Sequence, residues 1–118
     1  MKKRSSTWYR KKCVGQAKQK VKEKAGYKCE RCGRSKANGY VMHGSHVFPE
    51  GTYKSMSAEE DNIICLCYLC HFMFWHKSPH EASRWFDEKW PGRYKKLQKQ
   101  AQEIKIINWE LKYKSWKT

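Results

Sequence analysis

Residues 61–76 read DNIICLCYLCHFMFWH, and this stretch decides how the rest of the chain is interpreted. It contains two cysteines separated by two residues, Cys67 and Cys70. A second pair with the same spacing, Cys29 and Cys32, lies upstream within KCERCG. Two cysteines at this spacing can place both sulfurs on one tetrahedral metal ion, so the two pairs predict a single four-thiolate zinc site. Such a site is structural, because no coordination position stays open for a substrate.

Two further cysteines, Cys13 and Cys65, lie outside these pairs. Cys65 is two residues before Cys67, on the same side of an extended chain, and is the residue most easily mistaken for a ligand. We expect both to be small core residues. The paired spacing favours metal ligands over disulfides if the compartment is reducing.

The chain has 118 residues with 26 lysines and arginines against 11 acidic residues, a formal net charge of +15. This length predicts one domain, 1–118, with a modest core that a bound metal ion would stabilise. A field this positive favours a polyanion, DNA or RNA, over a role in solubility alone.

The first residues, MKKRSSTWYRKK, have no apolar run behind their charged start and so do not resemble a secretory signal. The longest apolar-rich stretch, roughly 63–75, is too short to span a membrane. We therefore expect an intracellular, cytoplasmic protein without membrane association.

The pattern along the chain predicts an α+β fold in three parts: a basic helix within 1–26, a zinc-binding ββα core at 27–77 and helices at 78–118. Ser5 or Ser6 would cap a first helix over 7–25 whose apolar stripe is Val14, Ala17 and Val21. Its lysines could lie on phosphates or simply form a solvated face, and the sequence leaves both open.

The centre of the chain predicts a strand that starts near Tyr40 and extends to Phe48. A second, antiparallel strand would cover 62–66 and lead into a helix that ends near Lys77. Ser78 would cap a helix ending near Trp90. A long last helix would then open at Pro91; its apolar positions are Tyr94, Leu97, Ala101, Ile104 and Leu111, and it could pair with a second copy or pack on its own domain. The cluster expected in the core is Phe72, Phe74, Trp75, Trp85, Phe86 and Trp90.

Three polar residues lie around the second cysteine pair: His46 on the first strand, Asn62 five residues before Cys67, and His71 directly after Cys70. This order resembles the HNH, or ββα-metal, nuclease family over about 29–76. The fragments GSHV, CYLCH and WHKSP are similar to those of small phage HNH proteins and lambdoid NinG-type recombination proteins. The resemblance implies a zinc-stapled ββα-metal core, a DNA phosphodiesterase activity and, for a phage protein, a bacterial host cell.

The resemblance also implies a role for each residue. His46 would be the general base that takes a proton from the attacking water, a task suited to neutral imidazole. Asn62 would hold the His46 loop by hydrogen bonding. His71 would ligate one catalytic divalent metal, Mg²⁺ or Mn²⁺ first and Ni²⁺ or Zn²⁺ next, beside the structural zinc.

The sequence departs from the commonest family pattern at Ser45, where many members have an acidic or histidine ligand. His43 could supply that second ligand instead. His76 is a further candidate, but on a regular helix it points about 140° away from His71. The alternative for each histidine is a surface or packing role.

Candidate phosphate contacts are Lys54, Lys77, Arg84 and Arg93. The favoured hypothesis is a metal-dependent HNH-type endonuclease that acts on DNA, with branched or nicked recombination intermediates as candidate substrates. One rival is a non-catalytic zinc-ribbon protein that binds nucleic acid. A second is an RNA- or ribosome-associated basic protein.

Overall fold

The chain folds as an α+β protein across residues 3–103 and 105–117, the part that this computed structural model describes. Its elements in chain order are helix α1 (Ser6–Lys24), strand β1 (Met42–His46), strand β2 (Ile63–Cys67), helix α2 (Tyr68–Cys70), a π-helix (His71–His76), and helices α3 (Pro79–Lys89), α4 (Arg93–Ala101) and α5 (Trp109–Lys117). Short 3₁₀ turns lie at Lys36–Asn38, Lys54–Met56 and Glu60–Asn62.

Helix α1 begins where the sequence predicted, because Ser5 Oγ accepts a hydrogen bond from the Trp8 amide at 3.1 Å. The predicted stripe of Val14, Ala17 and Val21 is buried. This stripe packs on both strands of the sheet. The helix therefore covers the sheet with its apolar side and leaves most of its lysines in solvent.

Strands β1 and β2 pair antiparallel, as predicted, with His43 opposite Leu66 and His46 opposite Ile63. Strand β1 is shorter than expected at both ends, since it covers only Met42–His46. His43 and His46 are an odd number of residues apart in a strand without a bulge, so they project from opposite faces of the sheet. Strand β2 is fully buried.

The core gathers around β2 and is completed by aromatic rings. Phe86 of α3 is fully buried, and its ring centroid lies 5.2 Å from that of Trp90 and 6.1 Å from that of Trp75. The prediction that these rings are core residues fails for Phe72, which is 51% exposed. Phe72 lies on the side of the π-helix that faces solvent and His43.

The predicted long last helix is wrong, because the chain forms two helices, α4 and α5, in its place. Asn108 begins α5 by accepting a hydrogen bond from the Leu111 amide at 3.0 Å, and the buried Trp109 follows it. Helix α5 then packs on α1. Leu111 is exposed, and Ile104 lies outside the described residues. Within the described residues, no helix combines the length and the apolar character needed to cross a bilayer.

Candidate metal centre and histidine cluster

The two cysteine pairs converge into one cluster of Cys29, Cys32, Cys67 and Cys70. Their four sulfur atoms all lie within 4.8 Å of one another. The Sγ atoms of Cys32 and Cys67 are 3.6 Å apart, close to the roughly 3.8 Å that tetrahedral Zn–S bonds of about 2.3 Å require. The cluster could therefore hold a structural zinc ion, as the spacing predicted.

Backbone amides within each pair already point at the sulfurs. The Cys32 amide donates to Cys29 Sγ at 3.5 Å, and the Cys70 amide donates to Cys67 Sγ at the same distance. Gly33 adopts φ 79°, which lets the first knuckle close. These bonds orient and stabilise thiolates, as outer partners of a metal site do.

Two arginines place positive charge beside the sulfurs. Arg31 approaches Cys70 Sγ at 3.5 Å, and Arg34 approaches Cys32 Sγ at 3.3 Å. Burial opposes ionisation of Cys32, but hydrogen bonds involving Arg34 and the neighbouring thiols outweigh it and lower the pKa of Cys32 to about 6. Burial raises the pKa of Cys70 to about 12. The neighbouring hydrogen-bond donors therefore favour the thiolate form of Cys32. Cys70, in contrast, needs a bound cation beside it to ionise at neutral pH.

The remaining cysteines lie outside this cluster, as predicted. Cys65 and Cys13 are both buried in the core. Burial raises the pKa of Cys65 to about 12, so its thiol is inert at neutral pH.

A second cluster is formed by three histidines, His43, His71 and His76. His43 Nδ1 lies 2.8 Å from His71 Nδ1, and His71 Nε2 lies 2.9 Å from His76 Nε2. The expectation that His76 points away from His71 is wrong, because these residues begin and end a π-helix and not a regular α-helix. The i→i+5 bonding of a π-helix brings residues five apart onto one side.

The histidine cluster is a chain of contacts and not a closed site. His71 uses one ring nitrogen for His43 and the other for His76, so one ion cannot bind all three through these contacts. Burial, followed by the positive charges of His76, His43 and Lys18, lowers the pKa of His71 to about 4. Burial and then Lys22 and Lys18 lower the pKa of His43. At neutral pH both imidazoles are therefore uncharged, as metal ligation requires.

His46 lies apart from that cluster, and in the described residues no hydrogen bond or ring contact joins it to His71. Its Nε2 is 2.8 Å from the carbonyl oxygen of Ser57. A carbonyl can only accept, so neutral His46 carries its proton on Nε2 and has a lone pair on Nδ1. Burial is the main cause that lowers the pKa of His46, which keeps the ring neutral at pH 7.

Asn62 is fully buried and fastens the loop that follows His46. Its Oδ1 accepts from the Phe48 amide at 2.8 Å, and its Nδ2 donates to the carbonyls of Phe48 and Met56 at 3.1 and 3.2 Å. The Val47 amide also donates to the Asn62 carbonyl at 2.8 Å. All four bonds cross the loop between β1 and β2, so Asn62 holds in place the segment that carries Ser57 and orients His46.

Sequence reasoning missed Lys18, which α1 brings to all three of His43, His46 and His71. A Cβ atom on Gly44 would meet Lys18 Cγ at 2.6 Å, so the lysine stem lies directly on the strand between His43 and Ser45. The charge of Lys18 contributes to the lowered pKa of each of the three histidines. Lys18 is one of many lysines on α1, and no spacing in the sequence distinguishes it.

The predicted phosphate contacts have different surroundings. Arg93 is bound internally, since it donates to the carbonyls of Asp61 and Ile63 at 2.9 and 3.1 Å and its guanidinium lies 4.7 Å from the Trp90 ring centroid. These bonds give Arg93 a structural role. Lys54, Lys77 and Arg84 are exposed.

Comparisons with protein-family models, curated proteins and solved structures find no match to this chain. The fold and the cysteine cluster define its class as a small, basic α+β protein with a site that could bind zinc.

Proposed function

We propose that this chain is a metal-dependent endonuclease of the HNH type that hydrolyses DNA phosphodiester bonds. The observation that carries the proposal is the meeting of His43 and His71 at 2.8 Å, beside the cysteine cluster and within reach of Lys18. A strand, a loop, a second strand and a helix bring these groups together. A binding module has no need of such neutral imidazoles.

In this proposal His46 is the general base. Its Nδ1 lone pair takes the proton of the attacking water, while Nε2–H remains bonded to the Ser57 carbonyl. Asn62 positions His46 through the loop and takes no part in proton transfer. The scissile phosphate would bind between the proposed cation and His46, near Lys18, whose charge acts on all three histidines, so that Nδ1 of His46 reaches the attacking water.

His43 and His71 are the residues that would hold the catalytic cation. Two nitrogen ligands bound cis to one ion at about 2.05 Å lie roughly 2.9 Å apart, which the 2.8 Å between their Nδ1 atoms fits. The ion would neutralise the phosphate and stabilise the leaving oxygen. His76 would fix the His71 ring by accepting its Nε2–H at 2.9 Å.

The donor set bears on which metal is used. Both proposed ligands are imidazoles, and in the described residues no carboxylate forms a hydrogen bond or ion pair with His43, His71 or His76. Imidazole suits Ni²⁺ and Zn²⁺, whereas Mg²⁺ prefers oxygen. We therefore propose Ni²⁺ or Zn²⁺ first, Mn²⁺ next and Mg²⁺ last, the reverse of the order expected from the sequence.

Lys18 completes the proposed site as a phosphate contact. No acidic partner of its ammonium group occurs among the ion pairs of the described residues. A cation among uncharged imidazoles attracts an anion, and its stem is fixed against Gly44. Branched or nicked DNA of phage recombination, in a bacterial host cell, remains the candidate substrate suggested by the resemblance.

A second candidate is a non-catalytic zinc-ribbon protein that binds nucleic acid. The net charge of +15 and the cysteine cluster suit it equally well. The two functions differ in whether His46 matters.

The experiment compares supercoiled plasmid nicking by wild type, His46→Ala and His80→Ala with Ni²⁺, Mn²⁺ or Mg²⁺. His80 is an exposed histidine of α3 and serves as the matched control. We expect His46→Ala to lose about 10²- to 10⁴-fold in rate, the usual contribution of a general base, while DNA binding and zinc content persist. Equal nicking by all three proteins would reject the assignment of His46.

A further inference from the structure

A cavity of 380 Å³ lies beside α1, next to the strand that carries the histidines. Its walls combine two tyrosines, two lysines and a glutamine: Tyr27, Tyr40, Lys22, Lys36 and Gln19. Met42, the residue before His43, lines it as well. The volume falls in the range of small-ligand sites, which are about 300–1,000 Å³.

Tyr27 is held in an unusual conformation at this cavity. Its φ is 55°, in the left-handed region that bulky residues rarely adopt. Its hydroxyl accepts a hydrogen bond from Gln19 Nε2 at 2.7 Å, and Lys36 Nζ lies 5.0 Å from its ring centroid. The ring is therefore fixed before any ligand arrives. Backbone strain of this kind persists where the surroundings over-determine it, often at binding sites.

Tyr40, the second tyrosine that lines the cavity, is also paired with a cation. Arg34 Cζ lies 5.5 Å from the Tyr40 ring centroid. Aromatic rings beside lysine and arginine form the kind of surface on which nucleic-acid bases stack while their phosphates meet the cations. The Gln19 Nε2 group already donates to the Tyr27 hydroxyl at 2.7 Å and to Glu23 Oε1 at 3.2 Å, so the amide oxygen of Gln19 is the atom that can accept from a base edge.

Lys22 connects the cavity to the histidine cluster. It lines the cavity together with Met42, the residue that directly precedes His43 in the chain. Lys18 lies four residues earlier on the same face of α1, about 6 Å along the helix axis. The two ammonium groups can therefore contact neighbouring phosphates of one strand.

We propose that this cavity binds an unpaired nucleotide next to the scissile phosphate, with its base between Tyr27 and Tyr40 and its phosphate on Lys22 and Lys36. The inference rests on the proposed nuclease function and specifies its substrate as DNA with single-stranded or flipped-out nucleotides. A base inside a duplex is stacked on both faces, so it cannot enter a pocket between two side chains. Ends, gaps and branch points of DNA supply such bases.

The experiment measures binding alone, on a His46→Ala background without added divalent metal, so that no cleavage occurs. Fluorescent single-stranded and duplex oligonucleotides of one sequence are titrated with the His46→Ala protein and with the same protein carrying Tyr40→Leu or Tyr40→Phe. Leucine removes the ring, and phenylalanine keeps it. We expect Tyr40→Leu to weaken single-strand binding about tenfold, with duplex binding changed less than twofold and Tyr40→Phe near wild type.

A second pair of variants keeps the test decisive if Tyr40→Leu folds poorly. Lys36→Gln should reduce the salt dependence of single-strand binding by about one charge, whereas Lys95→Gln, an exposed lysine of α4, changes single-strand and duplex binding equally. Equal losses on both DNA forms, or none, from Tyr40→Leu and Lys36→Gln would overturn the proposal. If wild type itself nicks plasmid with none of the divalent metals, the nuclease assignment fails while these binding results keep their meaning.

Discussion

The cysteine cluster and the histidine cluster lie side by side, yet they are built in opposite ways. The four sulfurs all lie within 4.8 Å of one another, and backbone amides and arginines approach them. The three histidines form a chain in which His71 contacts its two neighbours through different nitrogens. A convergent set is saturated by one tetrahedral ion, whereas a chain leaves coordination positions for water and phosphate.

The two clusters also differ in how far they are exposed to solvent. Three of the four cysteines are buried. His43 and His71 are half-buried, and His76 is exposed. A closed, buried site stabilises a fold, while an accessible one can meet a substrate. The two clusters should therefore respond differently to mutation.

The largest expected difference is in stability. Cys67→Ser removes one of four sulfurs from the closed site, so we expect loss of zinc and of cooperative folding, because structural zinc contributes on the order of 10 kcal/mol and small domains have only about 5–15 kcal/mol of stability. His71→Ala should keep one zinc and lose less than about 1–2 kcal/mol. Metal analysis and urea unfolding monitored by circular dichroism measure both.

Cys65→Ala is the control for this pair, since Cys65 is a buried cysteine outside the cluster. It should retain stoichiometric zinc. A folded, zinc-free Cys67→Ser protein would refute the structural role of the cluster.

The next largest effect concerns the contact between His71 and His76, the first and last residues of the π-helix. His76→Ala removes the partner of His71 Nε2, and we expect Ni²⁺ affinity of the zinc-loaded protein to fall about 10- to 100-fold, as for other outer partners of metal-bound histidine. Isothermal titration calorimetry measures it. His80→Ala should bind Ni²⁺ like wild type. If His76→Ala abolishes binding and His43→Ala has no effect, the ion lies between His71 and His76 instead.

A smaller effect concerns pH. Burial, with the positive charges of Lys18 and Arg10, holds the pKa of His46 below its ordinary value of 6.5. If His46 is the proposed base, it is neutral above that value, so the rate of nicking should stay level from about pH 8 to 6.5 and fall only at lower pH. His46 gains its proton near pH 6.5 in the unfolded chain and at lower pH in the folded chain. The contribution of His46 to stability is therefore present above pH 6.5 and is lost as pH falls through its folded pKa.

The pH dependence is checked by rate profiles and by unfolding at several pH values, each with zinc content measured. In His46→Gln, the part of the pH dependence of the unfolding free energy that His46 causes should disappear. A rate that rises on acidification would contradict a neutral base.

The smallest expected effect belongs to Lys18. Lys18→Met keeps the stem on Gly44 and removes the charge, so the slope of log affinity for DNA against log salt should fall by about one unit. Lys20→Met, an exposed lysine two residues later, should give a smaller change. Fluorescence anisotropy over a salt series measures both, and identical slopes would remove Lys18 from the proposed site.

The sequence by itself determined the parts of the molecule that depend on residue type and local spacing. The Cys-x-x-Cys spacing predicted the cysteine cluster, because two residues between sulfurs fix the knuckle locally. The stripe of Val14, Ala17 and Val21 and the cap at Ser5 predicted α1 for the same reason. The antiparallel strands followed from their turn and breaker residues.

Only the tertiary structure decided the geometry of the histidine cluster. Winding of 71–76 as a π-helix turns His76 toward His71, and no residue pattern in the sequence indicates that winding. The approach of Lys18 to Gly44 depends on how α1 crosses β1, a contact between segments 26 residues apart. The break between α4 and α5 follows from the packing of Trp109 against α1. Local spacing therefore predicts the four cysteines that could bind zinc, while the geometry of the histidine cluster depends on contacts between distant segments that only packing sets.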